Sequence, residues 1–192
     1  IERIEAEIEA KLTQMPPFQE AVRLLDTIPG VNRMAATTIV AEIGVDMSRF
    51  PSDRHITAWA GVAPGNDETG GRQRSGKARK GNKYLRRILA LAAHAASLTK
   101  NTYLKAMYYR LKARRGAGRA TMAVGRTILQ MAYYMIQRSQ TYIELGANYL
   151  DSLDKVRTAK RLVKRLQSLG FTVQITQQEG QATPQSLAPM AT

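Results

Sequence analysis

Three scarcities bound this 192-residue chain before any motif is read. It has no cysteine, which excludes a disulfide scaffold and any thiolate metal site. Its only histidines are His55 and His94, too few for a histidine-based zinc site without help from carboxylates. It has no long uncharged apolar run, so neither a membrane-spanning helix nor a signal peptide is expected. An intracellular protein without a membrane partner is the expectation. The first residue is Ile1 rather than Met, which suggests a fragment or a processed product.

The fourth absence is local. Between Glu68 and Glu144 there is no acidic residue at all, yet the stretch holds seventeen of the 29 lysines and arginines. The formal net charge of +14 is therefore concentrated there. A merely solvated helix face mixes both signs to limit self-repulsion. Excluding one sign across several helices points to a polyanionic partner, and nucleic acid is the obvious one, since each neutralised phosphate releases a counterion.

Apolar periodicity organises the chain into helices. Ile1, Ile4, Ile8 and Leu12 recur at helical spacing over residues 1–14, the expected end of an amphipathic, coiled-coil helix, and Met15-Pro16-Pro17 breaks it. A helix near 18–27 leads through Pro29-Gly30 into a second one. The pattern resembles a helix–hairpin–helix, with Asn32 where a second glycine is usual and able to take a left-handed backbone. Such a turn presents amides to a phosphate, so Gly30, Asn32 and Arg33 are candidate contacts. A purely structural hairpin is the other reading, and both stay open.

Gly44 closes the second helix, and Ser52 is the expected cap of a short one through Trp59 that ends at Gly61. His55 and Trp59 read as packing residues. Residues 64–82 form a Gly-rich basic loop without expected regular structure. Helices follow at Lys83–Lys100, at 102–115 and at Ala120–Arg138. A basic turn, Arg114 to Arg119, lies between the last two. Residues 154–169 read as an amphipathic helix with Val156, Leu162, Val163 and Leu166 inward, ended by Gly170. Phe171 to Ile175 alternates like one short strand, and residues 177–192 read as a disordered tail. The fold expected is mainly α. Its parts are 1–14, a helical domain at 18–150, a helix and strand at 151–176, and the tail.

The loop is not a nucleotide-binding P-loop. Gly71 to Gly76 has the right gap and Lys77 follows, but Ala78 replaces the required hydroxyl residue and the surroundings are helical. Asp67 and Glu68 are adjacent and would point apart, so no metal site is expected in the chain. What remains is an alcohol among cations: Thr69 in Glu-Thr-Gly-Gly and Ser75 in Arg-Ser-Gly-Lys. A hydroxyl beside flexible glycines can reach a scissile phosphate, and arginines can stabilise charge building at phosphorus. Binding of phosphate or water by these hydroxyls is the blander reading. Arg72, Arg74, Lys77, Arg79, Lys80, Lys83, Arg86 and Arg87 are the expected nucleic-acid contacts, joined by Arg114, Arg115 and Arg119.

The run from IPGVNRMAATTIVAEIG through AWAGVAPGNDETGGRQRSGKARKGNKYLRRILALAAHAA resembles the C-terminal transposase domain of the IS-one-ten family of insertion-sequence recombinases. YIELGANYLDSLDKVRTAKRLVKRLQSLGFTVQIT is similar to the end of one subgroup, so the resemblance covers about Leu24 to Thr176. It implies a partner RuvC-like domain with four metal-binding acids, where Mg2+ would sit, joined through a coiled coil. It also implies a serine nucleophile that becomes linked to DNA, a structured bridge RNA as guide, and an active site shared across a homo-oligomer in the bacterial cytoplasm, at the nucleoid. The RuvC-like part is not in this chain. The family's serine position matches Thr69, and Ser75 matches a second serine better suited to a phosphate or RNA contact. The function expected is DNA strand cleavage and transfer as one half of a two-part enzyme. The alternatives are a non-catalytic nucleic-acid-binding remnant of a transposase and a helical RNA-binding protein.

Overall fold

The computed structural model describes residues 2–65, 68–69, 72–73 and 80–176. The architecture is mainly helical. Helix α1 (Glu2–Thr13) is followed by α2 (Pro16–Leu25), which starts on the two prolines rather than after them. Proline suits the first helical positions, where its missing N–H has no partner to lose and its fixed φ is already helical. The pair therefore ends one helix and begins the next. Leu12 is buried and Ile8 packs on the core, so the second half of α1 is docked on the helices that follow.

Helices α2 and α3 (Arg33–Ile43) pack against each other across the Pro29-Gly30 turn. The turn is closed by the Val31 N–H donating to Ile28 O at 2.9 Å, and Gly30 has φ +87°. Asn32 departs from the expectation. Its backbone is extended, not left-handed, and its side chain accepts from the Ala35 N–H at 2.9 Å. It is an N-cap, which satisfies one of the orphan amides at the start of α3. Ala35, Ala36, Ile39, Val40 and Ile43 then bury one face at helical spacing, and Gly44 ends the helix at φ +76°.

A single 3-10 turn, Met47–Arg49, and α4 (Asp53–Trp59) come next. Ser52 precedes α4 but makes no side-chain cap; its hydroxyl lies 2.9 Å from His55 Nδ1 instead. His55 is exposed, while Trp59, 45% exposed, packs its ring at a tilt against Phe50. The buried face of α4 is filled by Ile56 and Thr57, one step away in the helical repeat.

Residues 64–82 are not wholly irregular. Strands β1 (Glu68–Thr69) and β2 (Arg72–Gln73) pair antiparallel, Thr69 opposite Arg72, with Gly70-Gly71 between them in the sequence. Three long helices follow: α5 (Lys83–Leu98), α6 (Tyr103–Arg115) and α7 (Ala117–Arg138). The basic turn expected at 114–119 shrinks to Gly116, because α7 begins three residues earlier than its apolar pattern suggests. Leu91 of α5 is exposed, although its spacing places it on the apolar face.

Helix α7 organises the core, packing on α6, α5, α4 and α2. It buries Ala120, Val124, Gly125, Ile128, Leu129, Ala132, Tyr133 and Met135. Burying each large aliphatic side chain contributes about 1.5–3 kcal/mol. Two polar contacts fix α4 and its approach on α7: Gln130 donates to Asp53, and the Tyr133 hydroxyl donates to Phe50 O at 3.1 Å. Helix α8 (Tyr149–Ser152) closes this unit against α6.

A second compact unit begins at Leu153. It contains α9 (Lys155–Ser168), capped by Asp154 and ended at Gly170 with φ +90°. The expected inward face is exposed: Val156 is 64%, Leu162 52% and Leu166 41% accessible. Periodicity marks an apolar face but does not supply what covers it. The expected terminal strand is absent too. Residues 171–176 have no regular structure, since a lone alternating segment has no ladder to join. The expected tail at 177–192 lies outside the described residues. No helix among the described residues is long and apolar enough to cross a membrane.

Candidate nucleic-acid interface

The start of α5 is built to hold charge at a fixed place. Asn82 caps it, accepting from the Tyr84 and Leu85 N–H groups at 3.0 Å, while its own amide donates to Glu42 of α3. Gly81 lies flat on the backbone of Ala60 and Gly61; a Cβ there would come within 2.4 Å of Ala60 C. Leu85 is fully buried. With the helix so anchored, Lys83, Tyr84 and Arg87 project outward and Arg86 is half-buried. The Lys83 ammonium sits 4.9 Å from the Tyr84 ring centroid.

The turn between α6 and α7 brings a second group of cations. Gly116, at φ +81°, is the whole connection, and α6 and α7 pack against each other along their length. The Thr127 hydroxyl reaches Met107 Sδ at 3.6 Å across this hairpin. Lys112, Arg114 and Arg115 occupy the last turn of α6, and Arg119 the first turn of α7. All four are exposed.

These two groups share one end of the bundle. Gly125 of α7 packs on Leu89 of α5; a Cβ on it would lie 3.2 Å from Leu89 O. From that level α5 runs back to Lys83 and α7 back to Ala117, each over about 9–12 Å. The four-residue link at 99–102 puts the α5 C-terminus beside the start of α6, so the N-termini of α5 and α7 face the same way. Lys83, Arg86, Arg87, Arg114, Arg115 and Arg119 therefore form one basic end.

That end is electrostatically unfavourable by itself. Neither α5 nor α7 has an acid in its first turn, and cations there oppose the positive pole of the helix dipole. The ion pairs Arg3–Glu7, Arg23–Glu20, Arg33–Glu9 and Arg110–Asp151 use none of the six cations of the basic end. Two turns along α7, the half-buried Arg126 has an Nε with no hydrogen-bond partner. A polyanion at this end would relieve the repulsion among the exposed cations.

The other sequence candidates lie elsewhere. Gly30 faces Ala92 and Ala96 in the far half of α5, so the hairpin turn is about 20 Å along that helix from Lys83. A Cβ on Gly30 would come within 2.3 Å of Ala96 N, so this glycine serves a close helix crossing. The Arg33 guanidinium is bidentate on Glu9, at 2.5 and 2.6 Å, and this hydrogen-bonded pair holds the Glu9 carboxyl below its ordinary range. The backbone of Thr69 lies in the β1–β2 ladder opposite Arg72. Lys80 is exposed at the foot of α5. Arg74, Ser75, Lys77 and Arg79 lie outside the described residues.

Sequence reasoning missed Asn82 and Glu42. An Asn directly before an apolar-periodic run is a readable cap signal, but its partner forty residues upstream leaves none. It also passed over Glu144, which accepts from the Tyr103 N–H at 2.8 Å and the Gly146 N–H at 2.7 Å, the acid that closes the start of α6.

Comparison with known proteins adds a family likeness. Residues 22–110 match the family model described as Transposase IS116/IS110/IS902 family. The chain is 28% identical over 142 residues to the transposase for insertion sequence element IS1111A of Coxiella burnetii, covering 70% of this chain and 38% of that protein. It is 34% identical over 96 residues to a probable family 20 transposase of Pseudomonas aeruginosa, covering 50% and 27%. It is 26% identical over 133 residues to the pilin gene-inverting protein of Moraxella bovis, covering 66% and 40%. The chain thus spans two fifths or less of the length of these relatives.

Proposed function

We propose that this chain is the nucleic-acid-binding and strand-transfer portion of an insertion-sequence transposase. The observation that carries the reading is the basic end of α5, α6 and α7, where six cations and two helix N-termini meet without an acid partner among the described residues. The transposase family match over residues 22–110 and the transposase and gene-inverting relatives support DNA undergoing recombination as the substrate of that surface. The family resemblance supports the finer parts of the proposal: a guide RNA, an active site shared between copies of the chain, and Thr69 at the nucleophile position.

The chemistry assigned to Thr69 is transesterification. Its hydroxyl oxygen attacks phosphorus and its proton passes to a general base. The oxygen of the leaving strand departs with the bonding electrons and is protonated. The threonine–phosphate ester keeps the strand for rejoining. Arg72, opposite Thr69 in the ladder, and the cations at the foot of α5 supply positive charge for the phosphate. Magnesium is implied by the family, but among the described residues no three His, Asp or Glu side chains come together to hold a metal. The family resemblance puts that ion in the RuvC-like part, and no step here runs through it.

The test uses a complete protein that contains this region, a suicide DNA substrate and peptide mass mapping of the adduct. The expected link is on Thr69. Thr69→Ser keeps or raises adduct formation, since it removes only a crowding methyl, while Thr69→Ala abolishes it and Ser75→Ala weakens binding only. A link on Ser75 overturns the assignment. DNA binding without any adduct identifies a non-catalytic binding domain.

A further inference from the structure

Helix α6 carries a feature that extends beyond the basic end. Its cations are divided by face. Arg110 turns to α8, donating to Leu150 O at 3.2 Å and pairing with Asp151 at 3.5 Å. Lys105, Lys112 and Arg115 make no ion pair among the described residues, and with Tyr109 they recur at i, i+4, i+7 and i+10, one continuous stripe of the helix. Tyr109 is 48% exposed, whereas its neighbour Tyr108 is buried.

At the foot of this stripe lies a cavity of about 340 Å³, lined by Lys100, Thr102, Lys105 and Tyr109 with Ala147 as its outer wall. The wall is fixed. Glu144 accepts from the Tyr103 and Gly146 N–H groups, and the Tyr142 N–H donates to Thr27 Oγ1 at 3.1 Å. Tyr109 lines the cavity. The Lys112 ammonium also sits 5.6 Å from its ring centroid, and the Tyr108 ring lies nearly perpendicular to it at 5.4 Å. An exposed tyrosine is thus held in place between two lysines at the mouth of a pocket.

We infer that this stripe is a track for single-stranded nucleic acid: an unpaired base enters the pocket and stacks on Tyr109, and the strand's phosphates follow Lys105, Lys112 and Arg115 toward the basic end. The stripe covers about 15 Å of helix, enough for a few nucleotides. An aromatic platform interleaved with cations binds single strands because every unpaired base has a π-face to stack. A duplex has no free face and would meet only the charges. The inference rests on the nucleic-acid reading proposed above and adds strandedness to it.

The test measures binding of the 192-residue chain to labelled oligo-dT, oligo-rU and a DNA duplex of equal length, across a salt series. Tyr109→Ala is expected to lower affinity for the single strands roughly tenfold or more and leave duplex affinity unchanged, while Tyr109→Phe retains both, since stacking does not need the hydroxyl. Lys105→Ala flattens the single-strand salt slope by about 0.7. The dT and rU arms separate DNA from RNA as the favoured strand. Thermal melts confirm that the variants fold, as the exposure of Tyr109 leads one to expect. Equal losses for single strand and duplex, or no loss with Tyr109→Ala, overturn the track. Wild-type protein that binds no nucleic acid at all overturns the earlier reading instead.

Discussion

Helices α1 to α3 and helices α5 to α7 use the same charged side chains in opposite ways. In the first group each arginine has an acid: Arg3 with Glu7, Arg23 with Glu20, Arg33 with Glu9. In the second there is no acid at all, and six of the cations meet at one end. Exposed ion pairs contribute little stability, so the first arrangement is not there for strength. Its effect is to neutralise. The hairpin presents a balanced surface and a tight apolar seam, while the bundle presents uncompensated charge. On the function proposed above, one region is scaffold and the other is the face offered to a partner.

The largest effect is expected where the scaffold tolerates nothing. Gly30→Val places a branched side chain at φ +87°, with its Cβ within 2.3 Å of Ala96 N and 2.5 Å of Ala92 O. Backbone strain and a forced separation of α2–α3 from α5 should cost about 3 kcal/mol or more. A thermal melt should show the loss as a large fall in Tm. An unchanged melt would break the comparison, because the turn would then be a free, ligand-facing loop. A folded variant with weaker DNA binding would assign its amides to phosphate after all.

The next effect is on binding alone. Replacing Lys83, Arg86, Arg87 and Arg119 together by Ala should weaken nucleic-acid binding and flatten its dependence on salt. The log–log slope should fall by about 0.9 for each duplex phosphate that is no longer neutralised. Stability should hold or rise slightly, since like charges leave two helix N-termini. Replacing Arg3, Arg23 and Arg33 by Ala should leave the salt slope where it was. Equal losses from the two sets, measured by anisotropy titration across a salt series, would erase the distinction between scaffold and face.

Much of this division was legible in the sequence, for a physical reason. Charge composition and apolar spacing are local properties, so the acid-free stretch and the helices α1 to α7 could be read directly. Contacts between distant segments could not. Nothing in the sequence says that Gly30 rests on Ala96, that Asn82 bonds Glu42, or that Arg33 is spent on Glu9. These facts tie Gly30 to a helix crossing and Arg33 to an acid. The same limit explains α9, whose apolar stripe is real but exposed, and residues 171–176, whose alternation meets no partner strand. Within the candidate site, charge alone was enough to name Lys83 to Arg87 and Arg114 to Arg119. Their meeting at one end comes only from the register set by Gly125 on Leu89.

The smallest effect concerns the neutralised side, and pH is the means of reaching it. Hydrogen bonds from Arg33 hold the Glu9 carboxyl below its ordinary value, and the nearby guanidinium charge adds to this. A carboxylate whose folded pKa is depressed contributes stability that is present above its unfolded pKa and lost as pH falls through the folded one. The pair is exposed, so the contribution is small and screened by salt. What it does locally is tie α1 to the start of α3. Melts of wild-type protein and Glu9→Gln should differ slightly at neutral pH and converge as the pH drops through and below the carboxylate range near about pH 4. Binding to nucleic acid, corrected for overall charge, should follow neither. If Glu9→Gln instead freed Arg33 to strengthen DNA binding and raise the salt slope, the hairpin would be a masked part of the interface, and the line between the two regions would have to be redrawn at α3.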